Sequence, residues 1–186
     1  MDEILEAAWR LVRAEGLAGL SLRDLAREVG MQAQSLYSYF DSKNAIYDAM
    51  YAQGCREYVE LEAGLVLTGQ PLPDLKTVMR FFVEFCTEHP VRYQLLFQRT
   101  IPGFAPSAES FAISLKSLEA LRARLADMGI TDPGDVDLFT AIGTGLADQQ
   151  ISNDPGGDRW ARLVDKAMEM FFHHASKRPN KRRRPT

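Results

Sequence analysis

The sequence predicts an all-α fold, and three observations carry that reading. Apolar residues recur at three- and four-residue spacing almost throughout the 186 residues. Strand-like alternation of β-branched and aromatic residues is nearly absent. Most periodic stretches begin at a capping residue or end at glycine or proline. At 46% hydrophobic, the chain is long enough for one or two domains. Folding should bury roughly 70% of its unfolded surface.

The first helix carries Ile4, Leu5, Ala8, Leu11 and Val12 and stops at Gly16, a residue suited to the left-handed turn after a helix. A second begins at Ser21, whose hydroxyl can cap free amides, with Asp24 three residues on in the capping-box position. It runs through Leu22, Leu25, Ala26 and Val29, and Gly30 ends it. A third spans residues 32 to 40, anchored by Leu36 and Phe40 four apart. Two turns would melt alone, so tertiary packing must hold it.

Asp41 or Ser42 then caps a longer helix carrying Ala45, Ile46, Ala49, Met50, Tyr58, Val59, Ala63 and Val66. Gly69-Gln70-Pro71-Leu72-Pro73 breaks the pattern and is a candidate boundary. Beyond it, Leu75, Val78, Met79, Phe82, Phe85, Cys86 and His89 form one stripe, terminated by Pro90. A short helix around "VRYQLLFQ" precedes the loop "RTIPGFAPS". Ser107 opens the next helix, with Phe111, Leu115, Leu118, Leu121, Leu125 and Met128 inward, and Gly129 ends it. Asp132 before Pro133 makes a cap and first-turn pair for "PGDVDLFTAIGTGLADQQI". The last helix shows Trp160, Leu163, Val164, Ala167, Met168, Phe171, Phe172 and Ala175 inward.

Two cysteines, Cys55 and Cys86, with no C-x-x-C pair read as a reduced, cytoplasmic protein. No signal-peptide pattern and no apolar run of spanning length is present, so no membrane partner is expected. The net charge of −3 hides a split: Lys177, Arg178, Lys181, Arg182, Arg183 and Arg184 face no acid in that stretch. Such a block reads as a solvated, disordered tail over 176–186. Residues 1–50 hold five basic and eight acidic side chains, so bulk charge does not announce a nucleic-acid binder.

The segment 21–43 does. Two helices joined through a glycine-centred turn and braced by a preceding helix form a helix-turn-helix, whose second helix lies in the major groove. Gln32, Ala33, Gln34 and Ser35 put small or amide side chains near the start of that helix, where its backbone must approach base edges. Glutamine can bond bidentately to adenine, serine to several bases, and the alanine methyl can touch the thymine methyl. Tyr37, Ser38 and Tyr39 add hydroxyls for phosphate oxygens, and Lys43 sits at a helix start that already favours an anion. A purely structural helix has no reason to show water so few charges and so many hydroxyls and amides.

The stretch "GLAGLSLRDLAREVGMQAQSLYSYFDSKNAIYDAM" resembles the DNA-binding domain of the TetR family of transcriptional regulators. Ser21-Leu22, Leu25-Ala26, Val29-Gly30-Met31, Ser35-Leu36-Tyr37, Phe40 and Lys43 carry the resemblance. It implies that Arg23, Ala33, Gln34, Ser35, Tyr37, Ser38, Tyr39 and Lys43 face double-stranded DNA. It also implies domains over 1–50, for DNA, and 51–175, for a small ligand and for a homodimer made by the last two helices. Within the second, "HPVRYQLLFQRTIP" and "FTAIGTGLADQQ" look like the subgroup named for a Trp-His-Gly motif, with Thr144 where the histidine would stand.

In that second domain Phe81, Phe82, Phe85, Cys86, His89, Tyr93, Phe97, Phe104 and Phe111 are candidates to line a cavity for a small apolar ligand. Asp148 and Gln149 are the polar candidates opposite. The competing reading of every aromatic there is plain core, because an apolar stripe marks burial first. Gly143 and Gly145 allow close helix approach, and Trp160, Leu163, Met168 and Phe171 supply bulk for a dimer face. Intramolecular packing competes for the same stripe.

No enzyme motif is present: no G-x-S-x-G, no G-x-x-x-x-G-K, no G-x-G-x-x-G after a strand. His173 and His174 point about 100° apart on a helix and cannot chelate one metal. No catalytic residue, metal or cofactor is expected. The sequence therefore reads as a ligand-responsive repressor acting as a homodimer on a palindromic operator. The alternatives are a helical small-molecule-binding protein without specific DNA recognition, and an architectural protein using the basic tail.

Overall fold

The computed structural model describes residues 1–176; the basic segment 177–186, with the expectation drawn for it, lies outside the described residues. Among the described residues there are nine α-helices and no strand. They are α1 (Asp2–Gly19), α2 (Leu22–Glu28), α3 (Ala33–Leu36), α4 (Lys43–Ala63), α5 (Pro71–Glu88), α6 (Pro90–Phe97), α7 (Ala108–Asp127), α8 (Pro133–Asn153) and α9 (Val164–Ser176). The helices gather into two compact units, Met1–Ala63 with His89–Ser117, and Gly64–Glu88 with the described residues from Leu118 onward. This grouping by contacts differs from a cut at residue 50. One unbroken helix, α4, runs through that position, and α6 returns to pack on α1 and α4.

In the first unit, Gly16 adopts φ 74, ψ 168 and breaks α1 into a long helix and a terminal turn. Almost only glycine takes that backbone shape. Ser21 is extended and its Oγ accepts from the Asp24 amide at 3.4 Å, capping α2. Ser42 Oγ accepts from the Ala45 amide at 3.1 Å and caps α4. Ile4, Leu5, Ala8 and Val12 of α1 are buried with Ile46 and Met50 of α4. Trp9 Nε1 donates to Gln53 Oε1 at 2.8 Å, and the Arg92 guanidinium lies over the Trp9 ring at 5.0 Å while pairing with Glu57. At Gly54 an added Cβ would meet the Leu96 methyls at 3.1 Å, which is how closely α6 approaches α4.

In the second unit, α5 packs against α8 and α9. Leu75, Val78, Met79, Val83, Phe139, Met168 and Phe171 share one core, with Phe139 and Phe171 edge to face at 5.4 Å. Asp74 folds the chain ahead of α5 by accepting from the Thr68 amide (2.7 Å), the Thr68 hydroxyl (2.8 Å) and the Gly69 amide (2.9 Å). Asp132 Oδ1 accepts from the Gly134 amide at 2.8 Å and caps α8. Lys76 reaches Glu169 at 2.5 Å, and Arg80 pairs with Asp165, tying α5 to α9 across exposed surface.

Several boundaries differ from the sequence reading. The third helix is a single turn, because beyond Leu36 the backbone tightens to three-residue bonds from Ser38 to Ser35 and from Tyr39 to Leu36. That tightening swings Phe40 into the core. α4 ends at Ala63, leaving Val66 88% exposed. Phe111 and Leu115 face outward, whereas Leu121 and Leu125 are buried as expected. A 3-10 turn over Ala161–Leu163 precedes α9, so Trp160 stands outside the last helix.

Candidate nucleic-acid interface and effector cavity

The segment after Gly30 is pinned from below. Leu36 is 0% exposed and Phe40 4%, while the residues between and before them stay in water. Gln32, Ala33, Gln34, Ser35, Tyr37, Ser38 and Tyr39 are all exposed, with Tyr37 at 53% and Tyr39 at 52%. Ser38 Oγ donates to the Ser35 carbonyl at 2.7 Å, which fixes the turn after the helix. Arg23 stands exposed on α2. The result is an exposed surface of amides, hydroxyls and two half-exposed rings.

Contacts from α4 brace this segment. Lys43 Nζ donates to the Ala18 carbonyl at 2.9 Å and sits 5.5 Å from the Tyr47 ring. The Tyr47 hydroxyl donates to the Leu17 carbonyl. Two polar bonds thus anchor the turn between α1 and α2 to the start of α4. One turn on, Asp48 accepts from the Ser107 amide (2.7 Å), the Ser107 hydroxyl (2.9 Å) and the Ser110 hydroxyl (2.8 Å). Neither Tyr47 nor Asp48 was singled out by sequence. Ser107 announced itself as a helix opener, and its Oγ does accept from the Ser110 amide at 3.1 Å. Its partner 59 positions away left no local signal.

A cavity of about 480 Å³ opens within this same unit, among α4, α6, the loop after α6 and the first turns of α7. Leu95, Leu96, Ile101 and Phe104 wall it, with Tyr51 on the α4 side. Burial pushes the Tyr51 hydroxyl up to about 12, against a hydrogen bond from Ser114 that lowers it. Burial likewise pushes the neighbouring Cys55 thiol up to about 11. Both groups stay neutral at physiological pH, so α4 presents no charge to the cavity there.

Of the eleven candidate ligand residues, this cavity gathers Phe97, Phe104 and Phe111. Phe111 lines it because it escapes the core, at 45% exposed. Tyr93 is a buried residue of α6, and His89 caps that helix through its carbonyl, which accepts from the Tyr93 amide at 2.9 Å. Phe82, Phe85, Cys86, Asp148 and Gln149 belong to the second unit. There Cys86 is fully buried, and burial, reinforced by the Asp148 charge, pushes its thiol far up. On α5, Leu75, Val78, Met79 and Val83 lie in that unit's core, with Phe82 packed against it.

The dimer-face candidates divide in the same way. Met168 and Phe171 are buried in their own unit's core, and an added Cβ at Gly143 would meet Met79 Sδ and the Phe82 ring at 3.0 Å. These three pack within their own unit: a stripe with one apolar face serves its own core first. Gly145 and Leu163 remain exposed, and nothing lies within 4 Å of a Cβ built on Gly145. Trp160 is partly buried, and its indole Nε1 has no hydrogen-bond partner among the described residues. Gln150, unnoticed in the sequence, organises this corner: its Oε1 accepts from the Trp160 amide (2.8 Å) and the Ala161 amide (3.1 Å). Among the described residues no three His, Cys, Asp or Glu side chains are grouped to hold a metal, and no helix is long and apolar enough to cross a membrane.

A glycine turn between two short helices, an exposed polar segment pinned by buried Leu36 and Phe40, and an all-helical body define a helix-turn-helix protein. Residues 4–50, the helix-turn-helix stretch with the start of α4, match the family model described as bacterial regulatory proteins, tetR family. The chain is 33% identical over 142 residues to the HTH-type transcriptional repressor DrrR1 of Streptomyces coeruleorubidus, covering 76% of this chain and 48% of that protein. The chain thus spans about half the length of that relative. It is 25% identical over 197 residues to an HTH-type transcriptional regulator of Mycobacterium tuberculosis, covering 94% and 82% of the two chains. The crystal structure of the TetR family transcriptional regulator PfmR from Thermus thermophilus shares the fold, with a TM-score of 0.61 at 23% identity over 91% of this chain and 97% of that one.

Proposed function

We propose that this chain is a sequence-specific transcriptional regulator, a ligand-responsive repressor that binds a palindromic operator as a homodimer. The observation that carries the reading is the uncharged polar surface from Gln32 to Tyr39 held outward by fully buried Leu36 and Phe40. Gln34 and Ser35 read base edges, with Gln32 and Ala33 beside them. Tyr37, Ser38, Tyr39, Arg23 and Lys43 set the register on phosphates, Lys43 exchanging its bond to Ala18 for a phosphate oxygen. Repression is supported by the description of DrrR1 as a repressor. Nothing in the site calls for catalysis, and we place the protein in the cytoplasm as a binding protein.

The dimer forms through α8 and α9. Leu138, Ala141, Gly145 and Gln149 repeat along one exposed face of α8, and Leu163 and the 65% exposed Met170 extend it near and along α9. The bare Gly145 lets a partner helix approach closely. A two-fold dimer sets its reading segments about 34–36 Å apart, one turn of DNA, or a multiple of it. Ligand binding that favours a different separation releases DNA, and operator binding weakens ligand by the same factor.

Selection of bound fragments from random duplex DNA tests the reading. A palindromic consensus is expected, and Gln34→Ala should weaken it by about 1–3 kcal/mol and relax one position. Tyr37→Ala should weaken all sequences alike at unchanged Tm. Selection that returns no preferred sequence would leave a helical small-molecule binder.

A further inference from the structure

The cavity of the first unit has walls whose chemistry narrows its ligand. Its volume of about 480 Å³ lies in the range of small-molecule sites. Leu95, Leu96, Phe97, Ile101, Phe104 and Phe111 make most of the lining apolar or aromatic. Only one lining residue carries a formal charge, Arg99, and no acid faces it. Arg99 is exposed and forms no ion pair among the described residues. A cationic ligand would meet a like charge there, and a neutral apolar one would leave the guanidinium unused.

The loop that forms one wall is also the loop fastened to α4. Phe104 lines the cavity and stands edge to face with Tyr47 at 5.6 Å. Ser107, at the end of that loop, and Ser110 bond Asp48 as described above. Tyr47 in turn holds the Leu17 carbonyl ahead of α2. A ligand that displaces the loop therefore acts on α4 at two adjacent residues, and α4 acts on the turn that carries the reading segment.

We propose that this cavity is an effector site for a small monocarboxylic acid with an aromatic or aliphatic body, its carboxylate held by Arg99, and that Asp48 and Phe104 transmit its occupancy to α4. The site rests on the regulator reading only for its consequence, not for its chemistry. Arg99 is the binding residue; Asp48 is a positioning residue whose three bonds set how firmly the loop and α4 move together.

The test uses the full chain, with calorimetric titration of 4-phenylbutanoate and octanoate against their primary amides. The acids should bind about tenfold tighter or more, the margin of a charge-assisted hydrogen bond. Arg99→Gln should erase the difference. Equal affinity for acid and amide, an unchanged ratio in Arg99→Gln, or no binding of either acid at millimolar concentration would overturn the site. For transmission, Asp48→Asn should keep acid affinity within about twofold while cutting the acid's effect on release of a selected duplex, itself roughly 5–150-fold for allosteric sites. Full release by a folded Asp48→Asn protein would overturn the route. Failure to select any duplex would defeat the regulator reading while the acid-to-amide ratio still decides the site.

Discussion

Asp74 shows how much structure one side chain can organise when its lone pairs are fully engaged. Burial works to raise its carboxyl pKa, but the hydrogen bonds from Thr68 and Gly69 prevail and hold it below the ordinary 3.8. The folded chain therefore binds this proton less tightly than the unfolded chain. The resulting stability is present above 3.8 and is lost as pH falls through the lowered folded value. Asp74→Asn should lower the urea midpoint at pH 7, and the two curves should converge as pH falls through the lowered folded value. A constant gap across that range would place the effect in packing instead. At this scale the sequence revealed caps within four residues, Ser21, Ser42, Ser107 and Asp132. It did not reveal Asp48 or Gln150, because their partners are brought near only by folding.

Helices in this chain are placed by glycine as much as by apolar stripes. Gly16→Ala would force a side chain into φ 74, ψ 168, and the expected cost is about 1–3 kcal/mol with α1 and α2 re-angled. Gly143→Val would drive a branched side chain into Met79 and Phe82 and should cost about 1–3 kcal/mol. Thermal melts check both, with roughly 2–4 °C expected per kcal/mol. Gly143 also marks where sequence reasoning at this scale stopped. A glycine in a helix announces close approach, but only the packed α5 shows that the neighbour is in the same chain. The same holds for α3, whose four-residue length follows from three-residue bonds after Leu36 that periodicity cannot register.

Over the whole molecule, the charge balance bears on how the proposed reading segment would meet DNA. Of the five cations in residues 1–50, Arg10 pairs with Glu28 at 3.2 Å and Arg27 with Asp24 at 2.7 Å. Arg13 donates to the Trp9 carbonyl, leaving Arg23 and Lys43 as the phosphate partners on offer. In the proposed dimer, two protomers would neutralise about four phosphates, for an expected log-log salt slope near −4, by the rule of about −0.9 per phosphate. Operator titrations from about 50 to 200 mM salt check this. A slope beyond about −7 that survives deletion of residues 177–186 would show that cations outside this account contact DNA.

The sequence alone determined the helical class, most helix ends and the polar segment that Leu36 and Phe40 anchor. Each follows from residues within one or two turns of one another: a cap, a stop, a pair of anchors at i and i+4. The tertiary structure decided which apolar stripes face their own core and which stay open. It turned Met168, Phe171 and Gly143 inward, left Gly145 bare, and opened a cavity beside α4. Periodicity says that a face is apolar, while only packing, a competition among all faces at once, says what that face will meet.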